Sequence, residues 1–117
     1  MLSSESSRTH YSELGTQNSE LTTQMHVGIL TVTIHLAEGS SLKDKRQVIK
    51  SLIETTRRKF NVSIAEVDDL DIWRRATLGV AVVSNDGKFC NQVLDKVLDY
   101  FESQPELDVG EVEMEVD

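Results

Sequence analysis

Four segments of alternating apolar and polar residues and two segments of helical periodicity, in the order β-α-β-β-α-β, predict an α+β fold. Each strand segment has one apolar face and one small or polar face, as expected for a sheet that is covered on one side only. Two amphipathic helices are enough to cover that side. We therefore predict the ferredoxin-like, split βαβ arrangement: a four-stranded antiparallel sheet with both helices on one face.

The first half of the domain supplies one strand and one helix. The strand is predicted over residues 26–36, whose apolar and polar residues alternate, and the residues around Gly39 end it. Ser41 and Asp44 resemble a capping box, with Asp at the usual position of Glu, and open the first helix. The apolar residues of this helix share one side and are Leu42, Ile49, Leu52, Ile53 and Phe60.

The second half supplies the other elements. The second and third strands are predicted over residues 62–67 and 76–84, joined by a short polar connection. Asp86 lies in an Asn-Asp-Gly turn and caps the second helix, which ends before Pro105. The last strand is predicted over residues 109–116. The apolar stripe of the second helix comprises Phe89, Val93, Leu94, Val97, Leu98 and Phe101.

The composition limits the class of protein. The chain has 117 residues, 38% of them hydrophobic, which is enough for one compact domain. Its longest apolar run spans about five residues, far fewer than the ~18 of a membrane-spanning helix. The single cysteine, Cys90, excludes an internal disulfide and a CxxC motif, and we expect it in the core. A soluble, cytoplasmic protein without membrane contact is predicted.

The domain is predicted to begin at Met25. Ten of residues 1–24 are Ser or Thr, and so polar a segment buries too little apolar surface to offset the cost of ordering it. We predict a disordered N-terminal extension over residues 1–24, with a regulatory or tethering arm as the alternative, and a single domain over residues 25–117.

The charges are unevenly distributed along the chain. The formal net charge is −8, yet residues 41–60 carry seven basic and two acidic side chains, whereas residues 85–117 carry two basic and ten acidic ones. Helical spacing aligns four of the basic residues on one flank, beside the apolar stripe: Lys43, Arg46, Lys50 and Arg57. This flank is the most informative feature of the sequence.

Two interpretations of these basic residues remain. In one they bind the phosphates of a nucleic acid. In the other they form a solvated face, or pair with Asp95, Asp99 and Glu102 of the second helix. Base stacking on the sheet, as in RRM domains, is not expected, because the predicted open face lacks aromatic residues and the last strand adds glutamates to it. That face could instead pack against a second copy.

Catalytic and metal-binding signals are weak. Glu66, Asp68, Asp69 and Asp71 are four carboxylates within six residues, a set that could hold Mg²⁺ for a metal-assisted hydrolase, but their spacing is not that of an EF-hand loop. The three histidines are scattered, and neither a nucleophile elbow nor a Gly-rich phosphate loop occurs. We predict no catalysis, no metal and no cofactor.

Trp73 is the only tryptophan and is followed by Arg74 and Arg75. One interpretation is a lid over the core where the connection crosses between strands. The other is an anchor for a partner, since tryptophan and arginine are enriched at binding hot spots.

Five segments carry a resemblance to a known family: Met-His-Val-Gly-Ile-Leu at 25–30, Ser-Leu-Lys-Asp-Lys-Arg at 41–46, Asn-Val-Ser-Ile-Ala-Glu-Val at 61–67, Asp-Ile-Trp-Arg-Arg-Ala at 71–76 and Leu-Gly-Val-Ala-Val-Val-Ser at 78–84. Their combination resembles the YlxP-like family of small bacterial proteins, also called the domain of unknown function DUF503. The resemblance implies a ferredoxin-like fold and no established enzymatic activity. Genes of this family often lie beside those for translation initiation factors and ribosome-binding factor A, which implies a role near translation or ribosome assembly.

Charge and resemblance together lead to one hypothesis: a non-catalytic accessory protein that binds structured RNA or the ribosome through its basic first helix, with ribosomal RNA or a ribosomal subunit as partner. The predicted nucleic-acid-binding residues are Lys43, Lys45, Arg46, Lys50, Arg57, Arg58, Arg74 and Arg75. Trp73 is the predicted partner-binding residue. The alternative is a homodimeric interaction module without nucleic-acid contact, in which basic and acidic helix faces pair between copies.

Overall fold

The computed structural model of the protein describes residues 24–37 and 41–117. The predicted N-terminal extension therefore lies outside the described residues, except for its last residue. The elements, in chain order, are β1 (His26–Leu36), α1 (Leu42–Lys59), β2 (Ser63–Asp68), β3 (Arg75–Ser84), α2 (Gly87–Glu102) and β4 (Leu107–Val116). The predicted order is confirmed, and the predicted bounds differ from these by a few residues at most.

The four strands form one antiparallel sheet in the order β2-β3-β1-β4. This is the ferredoxin-like topology, so the predicted fold class is confirmed. Each helix connects two strands that are separated by one other strand, which places both helices on one face. As a result β1 and β3 are central, whereas β2 and β4 are edge strands at opposite sides of the sheet.

Both helices begin as the sequence predicts. Ser41 Oγ accepts a hydrogen bond from the main-chain N–H of Asp44 at 3.1 Å, and Asp44 Oδ2 accepts one from the N–H of Ser41 at 3.2 Å. This reciprocal pair is a complete capping box. Asp86 Oδ1 accepts from the N–H of Lys88 at 3.0 Å and caps α2.

The core lies between the sheet and the two helices. Its fully buried side chains come from alternate positions of the strands and from one stripe of each helix: Leu30, Val32, Ile34, Ile49, Leu52, Ile64, Ala76, Leu78, Val80, Val82, Cys90, Leu94, Val97 and Phe101. Phe89, which was predicted in the stripe of α2, is instead 50% exposed. Phe89 lies about 100° around α2 from Cys90, whose side chain is buried against the sheet, so Phe89 falls outside the buried side of the helix.

None of the helices among the described residues is long and apolar enough to cross a membrane.

Candidate functional site

The basic flank of α1, which we define as Lys43, Arg46, Lys50 and Arg57, faces away from α2. The helix α2 packs on the other flank of α1, where Lys59 Nζ lies 5.3 Å from the centre of the Tyr100 ring. On the basic flank, an Arg57 guanidinium N–H donates to the main-chain oxygen of Ile64 in β2 at 3.0 Å. The basic flank therefore borders the β2 edge of the sheet.

The charge of this flank is largely exposed. The side chains of Lys43 and Lys50 make no hydrogen bond or ion pair with any residue that the structure describes. Arg46 lies 3.9 Å from Asp71, but the two side chains are 63% and 92% exposed, and an ion pair so open to water contributes little. Arg58, which directly follows Arg57 and is also exposed, donates to Thr55 Oγ1 at 3.3 Å.

The acidic residues of the second half lie on the opposite side of the molecule. Helical spacing places Asp95, Asp99 and Glu102 on the flank of α2 turned away from Tyr100 and therefore away from α1. The edge strand β4 on that side adds Asp108, Glu111, Glu113 and Glu115. Within the described ranges no ion pair joins α1 to α2, so the alternative that the two helices neutralise each other within one chain is not observed.

Lys45 departs from the predicted nucleic-acid-binding set, because its side chain has no exposed surface. Its Nζ lies 2.9 Å from Glu66 Oε2 and donates hydrogen bonds to the main-chain oxygens of Asp69 and Leu70. An ammonium held in this way beneath α1 cannot reach a phosphate group. The prediction that Lys45 binds nucleic acid is therefore wrong.

The sequence did contain a signal for this burial. Lys45 precedes Ile49 by four residues and Leu52 by seven, so helical spacing places it inside the apolar stripe rather than beside it. Glu66 is two residues after the buried Ile64 and pairs with Leu78 in the register, which turns it toward the same face. Glu66 Oε2 is itself buried without an aligned hydrogen-bond donor, so the charge of Lys45 is what compensates it.

The connection between β2 and β3 is fixed around Asp69. Asp69 has a positive φ of 65°, a conformation that aspartate tolerates better than most residues. Its carboxylate accepts hydrogen bonds from Thr77 Oγ1 at 2.7 Å and from Arg75 at 3.1 and 3.2 Å. These bonds, Thr77 first and Arg75 second, hold the pKa of Asp69 below its ordinary value of 3.8. Arg75 is thus already engaged by a carboxylate, although its side chain stays 47% exposed.

The same connection presents large apolar side chains to solvent. Trp73 is 59% exposed, Leu70 55% and Ile72 44%. The lid interpretation of Trp73 is therefore not observed, and its binding role stays a prediction. Sequence reasoning missed Leu70 and Ile72, although their position in a polar connection, outside any strand or helix, was a signal of exposure.

Three of the four carboxylates of this region each lie near a different cation, whereas the fourth, Asp68, accepts a hydrogen bond from the main-chain N–H of Asp69 at 2.8 Å. Glu66 faces Lys45 on the helix side of the sheet, Asp69 faces Arg75 on the open side, and Asp71 lies near Arg46. Over residues 24–37 and 41–117 no group of three or more His, Cys, Asp or Glu side chains is arranged to hold a metal ion.

Comparisons with known proteins place the chain in a family. The family model described as "Protein of unknown function (DUF503)" matches residues 27–114. The "Uncharacterized protein YlxP" of Bacillus subtilis (strain 168) is 34% identical over 82 residues, which cover 70% of this chain and 89% of that protein. Among solved structures, the de novo designed protein Foldit4 has a TM-score of 0.49 at 16% identity, covering 79% of this chain and 96% of that one. Protein SO0527 from Shewanella oneidensis has a TM-score of 0.43 at 20% identity, covering 80% and 90%. From the match to its model and from the YlxP relative, the chain belongs to the DUF503 family.

Proposed function

We propose that this protein is a non-catalytic accessory protein that binds structured RNA, with the basic flank of α1 against the phosphate backbone. The observation that carries the proposal is the exposed cationic flank along the β2 edge of a chain whose formal net charge is −8. The acidic residues of α2 and β4 do not neutralise this flank, because they lie toward the opposite edge of the sheet. A local positive surface of this kind attracts phosphates in spite of the overall negative charge.

The dimensions of the flank suit a nucleic-acid backbone. Lys43 and Arg57 are fourteen residues apart, which corresponds to about 21 Å along the helix axis. Each phosphate contact releases counterions, so several contacts in a row give binding that weakens steeply with salt. Because Lys45 is buried, we exclude it from the proposed contact residues of this helix, which are Lys43, Arg46, Lys50, Arg57 and Arg58. We expect the RNA partner to be that of a ribosomal subunit, in keeping with the gene neighbourhood of the YlxP-like family.

The test compares two double charge reversals. Lys43→Glu with Lys50→Glu changes the basic flank, whereas Lys88→Glu with Lys96→Glu makes the same change in net charge on exposed positions of α2. The side chains of these four lysines make no hydrogen bond or ion pair with described residues, so both variants are expected to fold. Affinity for isolated ribosomal subunits and for a structured RNA from them is measured by co-sedimentation and fluorescence anisotropy at several salt concentrations.

We expect the α1 variant to bind about tenfold more weakly than the natural sequence. The slope of the logarithm of its affinity against the logarithm of salt concentration should be smaller in magnitude by about two. The α2 variant is expected to keep most of its affinity. Equal losses in both variants would mean that only net charge matters, and unchanged affinity in the α1 variant would refute the proposal.

A homodimer is the second candidate, and one observation favours it. The basic flank of α1 and the acidic flank of α2 lie on opposite sides of the helix layer and do not pair within the chain. A two-fold axis parallel to the helices would place α1 of one copy opposite α2 of the other, twice. Sedimentation should then show a dimer that weakens with salt and with the α1 variant but not with the α2 variant, which adds negative charge to the acidic side. A strict monomer at high micromolar concentration would exclude the dimer.

A further inference from the structure

An open groove lies at the end of the sheet near the N-terminal end of the basic flank. It is lined by His35, Leu36, Ile72, Trp73, Arg74 and Arg75. The main-chain N–H of Leu36 donates to the oxygen of Arg74 at 2.8 Å, which ties the β2–β3 connection to the end of β1. The contact of Arg46 with Asp71 places this connection beside the basic flank.

The groove is built on a fixed backbone. The N–H of Ile72 donates to the oxygen of Asp69 at 3.1 Å, and buried Lys45 donates to the oxygens of Asp69 and Leu70. Exposed loops without such bonds lose conformational freedom when they bind a ligand. A connection that is already fixed loses less, so Trp73 is presented in a form suited to binding.

The side chains of the groove suit a flat, partly polar ligand. Trp73 and Ile72 supply an exposed apolar surface, whereas His35, Arg74 and Arg75 supply planar groups that both stack and donate hydrogen bonds. The orientation of the Arg75 guanidinium is set by its two contacts with the Asp69 carboxylate. An aromatic side chain bordered by arginines is the arrangement with which proteins stack an unpaired base.

We propose that this groove binds an unpaired nucleobase, stacked on Trp73, in the RNA whose phosphates contact the basic flank. The inference rests on the proposed function and narrows it: the RNA has a helical segment with a bulged or looped-out nucleotide beside it. It differs from base stacking on an open sheet, because the aromatic residue is in a connection at the end of the strands. The continuity of the groove with the basic flank favours RNA over an apolar peptide as its occupant.

The experiment uses Trp73 as its own probe, because it is the only tryptophan of the chain. Two RNA hairpins are titrated, one with a fully paired stem and one with a single bulged nucleotide in the same stem. We expect the bulged hairpin to quench the tryptophan fluorescence and to bind more tightly, by anisotropy, than the paired one. Trp73→Ala should lose about tenfold in affinity for the bulged hairpin only, whereas Trp73→Phe should retain most of it.

Two controls separate the possible outcomes. Phe89→Ala removes another half-exposed aromatic side chain, from α2, and should change neither affinity. If Trp73→Ala leaves the binding of both hairpins unchanged while the Lys43/Lys50 reversal weakens it, the base-binding inference is wrong and the proposed function stands. If the natural protein binds neither hairpin nor ribosomal subunits, both are wrong. If Trp73→Ala abolishes only self-association in sedimentation, the groove is a protein contact and the inference is likewise overturned.

Discussion

The two edge strands of the sheet differ in charge, in length and in how they are held. β2 has six residues and borders the basic flank of α1, whereas β4 has ten residues and carries Asp108, Glu111, Glu113 and Glu115. The strand order inserts β3 and β1 between them. This separation keeps the basic first half and the acidic second half of the chain from neutralising each other, so a protein of net charge −8 retains a positive side.

The two edge strands are attached to the rest of the fold by different kinds of contact. β2 is held to α1 by polar contacts: the buried Lys45–Glu66 ion pair and the hydrogen bond from Arg57 to Ile64. β4 relies on its long ladder with β1, which includes a bulge near Gly110. Exposed edges invite pairing with other chains, and the row of carboxylates on β4 discourages it. The short edge strand therefore depends on a few strong contacts and the long edge strand on many weak ones.

The largest effect should come from Lys45→Met, which removes the cation and leaves the buried Oε2 atom of Glu66 without a partner. Breaking a buried ion pair from one side costs about 3–5 kcal/mol, so we expect a loss of this size in the free energy of unfolding, measured by urea denaturation. Lys50→Met, on the same helix but exposed, should change it by less than about 0.5 kcal/mol. Similar values for the two variants would show that the β2 edge does not depend on Lys45.

A smaller effect is expected from the helix caps. Ser41→Ala removes the side chain that accepts from the N–H of Asp44 and should destabilise the protein by about 1 kcal/mol. Asp86→Ala removes the corresponding acceptor of α2 and should cost a similar amount. Thermal unfolding of both variants tests this expectation, and Ser51→Ala, at an exposed position inside α1, is the control with no cap to lose.

A substitution at the bulge of β4 should reduce the free energy of unfolding less than loss of the Lys45–Glu66 contact at β2 does. A Cβ at Gly110 would lie 2.7 Å from Nε2 and 2.8 Å from Cδ2 of His35, and 3.3 Å from the main-chain oxygen of Thr33. The His35 ring is exposed and can turn aside, so Gly110→Ala should cost no more than about 1 kcal/mol. Adding His35→Ala should recover most of that loss in chemical denaturation. A loss that persists in the double variant would assign the strain to the backbone.

The smallest effect concerns pH. Because the pKa of Asp69 is lowered by Thr77 and Arg75, the folded protein binds this proton less tightly than the unfolded chain does. The contribution of Asp69 to stability is therefore complete above the unfolded value of about 4 and is lost as pH falls through the lower folded value. Asp69→Asn keeps a residue that tolerates positive φ, and the difference in stability between it and the natural protein should shrink below about pH 4.

The hydroxyl of Thr77 provides the matched comparison for this pH effect. Thr77→Val removes the main hydrogen bond to Asp69 Oδ2 and should weaken the acid dependence of unfolding. Thr31→Val makes the same substitution on the open face of β1, opposite Gly79 rather than Thr77, and should leave the dependence as it is. Parallel pH profiles for all variants would mean that Asp69 does not couple folding to pH.

The elements and the core were accessible from sequence because their signals are local. Alternation fixes which face of a strand is apolar, and Ser41 with Asp44 completes a cap within four residues. The candidate site was only half accessible. Helical spacing aligned Lys43, Arg46, Lys50 and Arg57 correctly, but Lys45 was grouped with them for its charge, and Phe89 was assigned to the core for its apolarity. In both cases the position of the residue on the helix, and not the polarity of its side chain, decided whether the side chain is buried, because the position determines what the side chain contacts.

The order of strands and helices, the ends of the helices and the apolar face of each element can be predicted from the sequence, since they follow from backbone periodicity and from contacts a few residues apart. Which charges meet depends on the tertiary structure. The strand order sent the basic and acidic residues to opposite edges, brought Glu66 under α1 to compensate Lys45, and left Trp73 exposed at the end of the sheet. Charge interactions depend on distance and burial, and no spacing along the chain specifies the distance between residues on different elements.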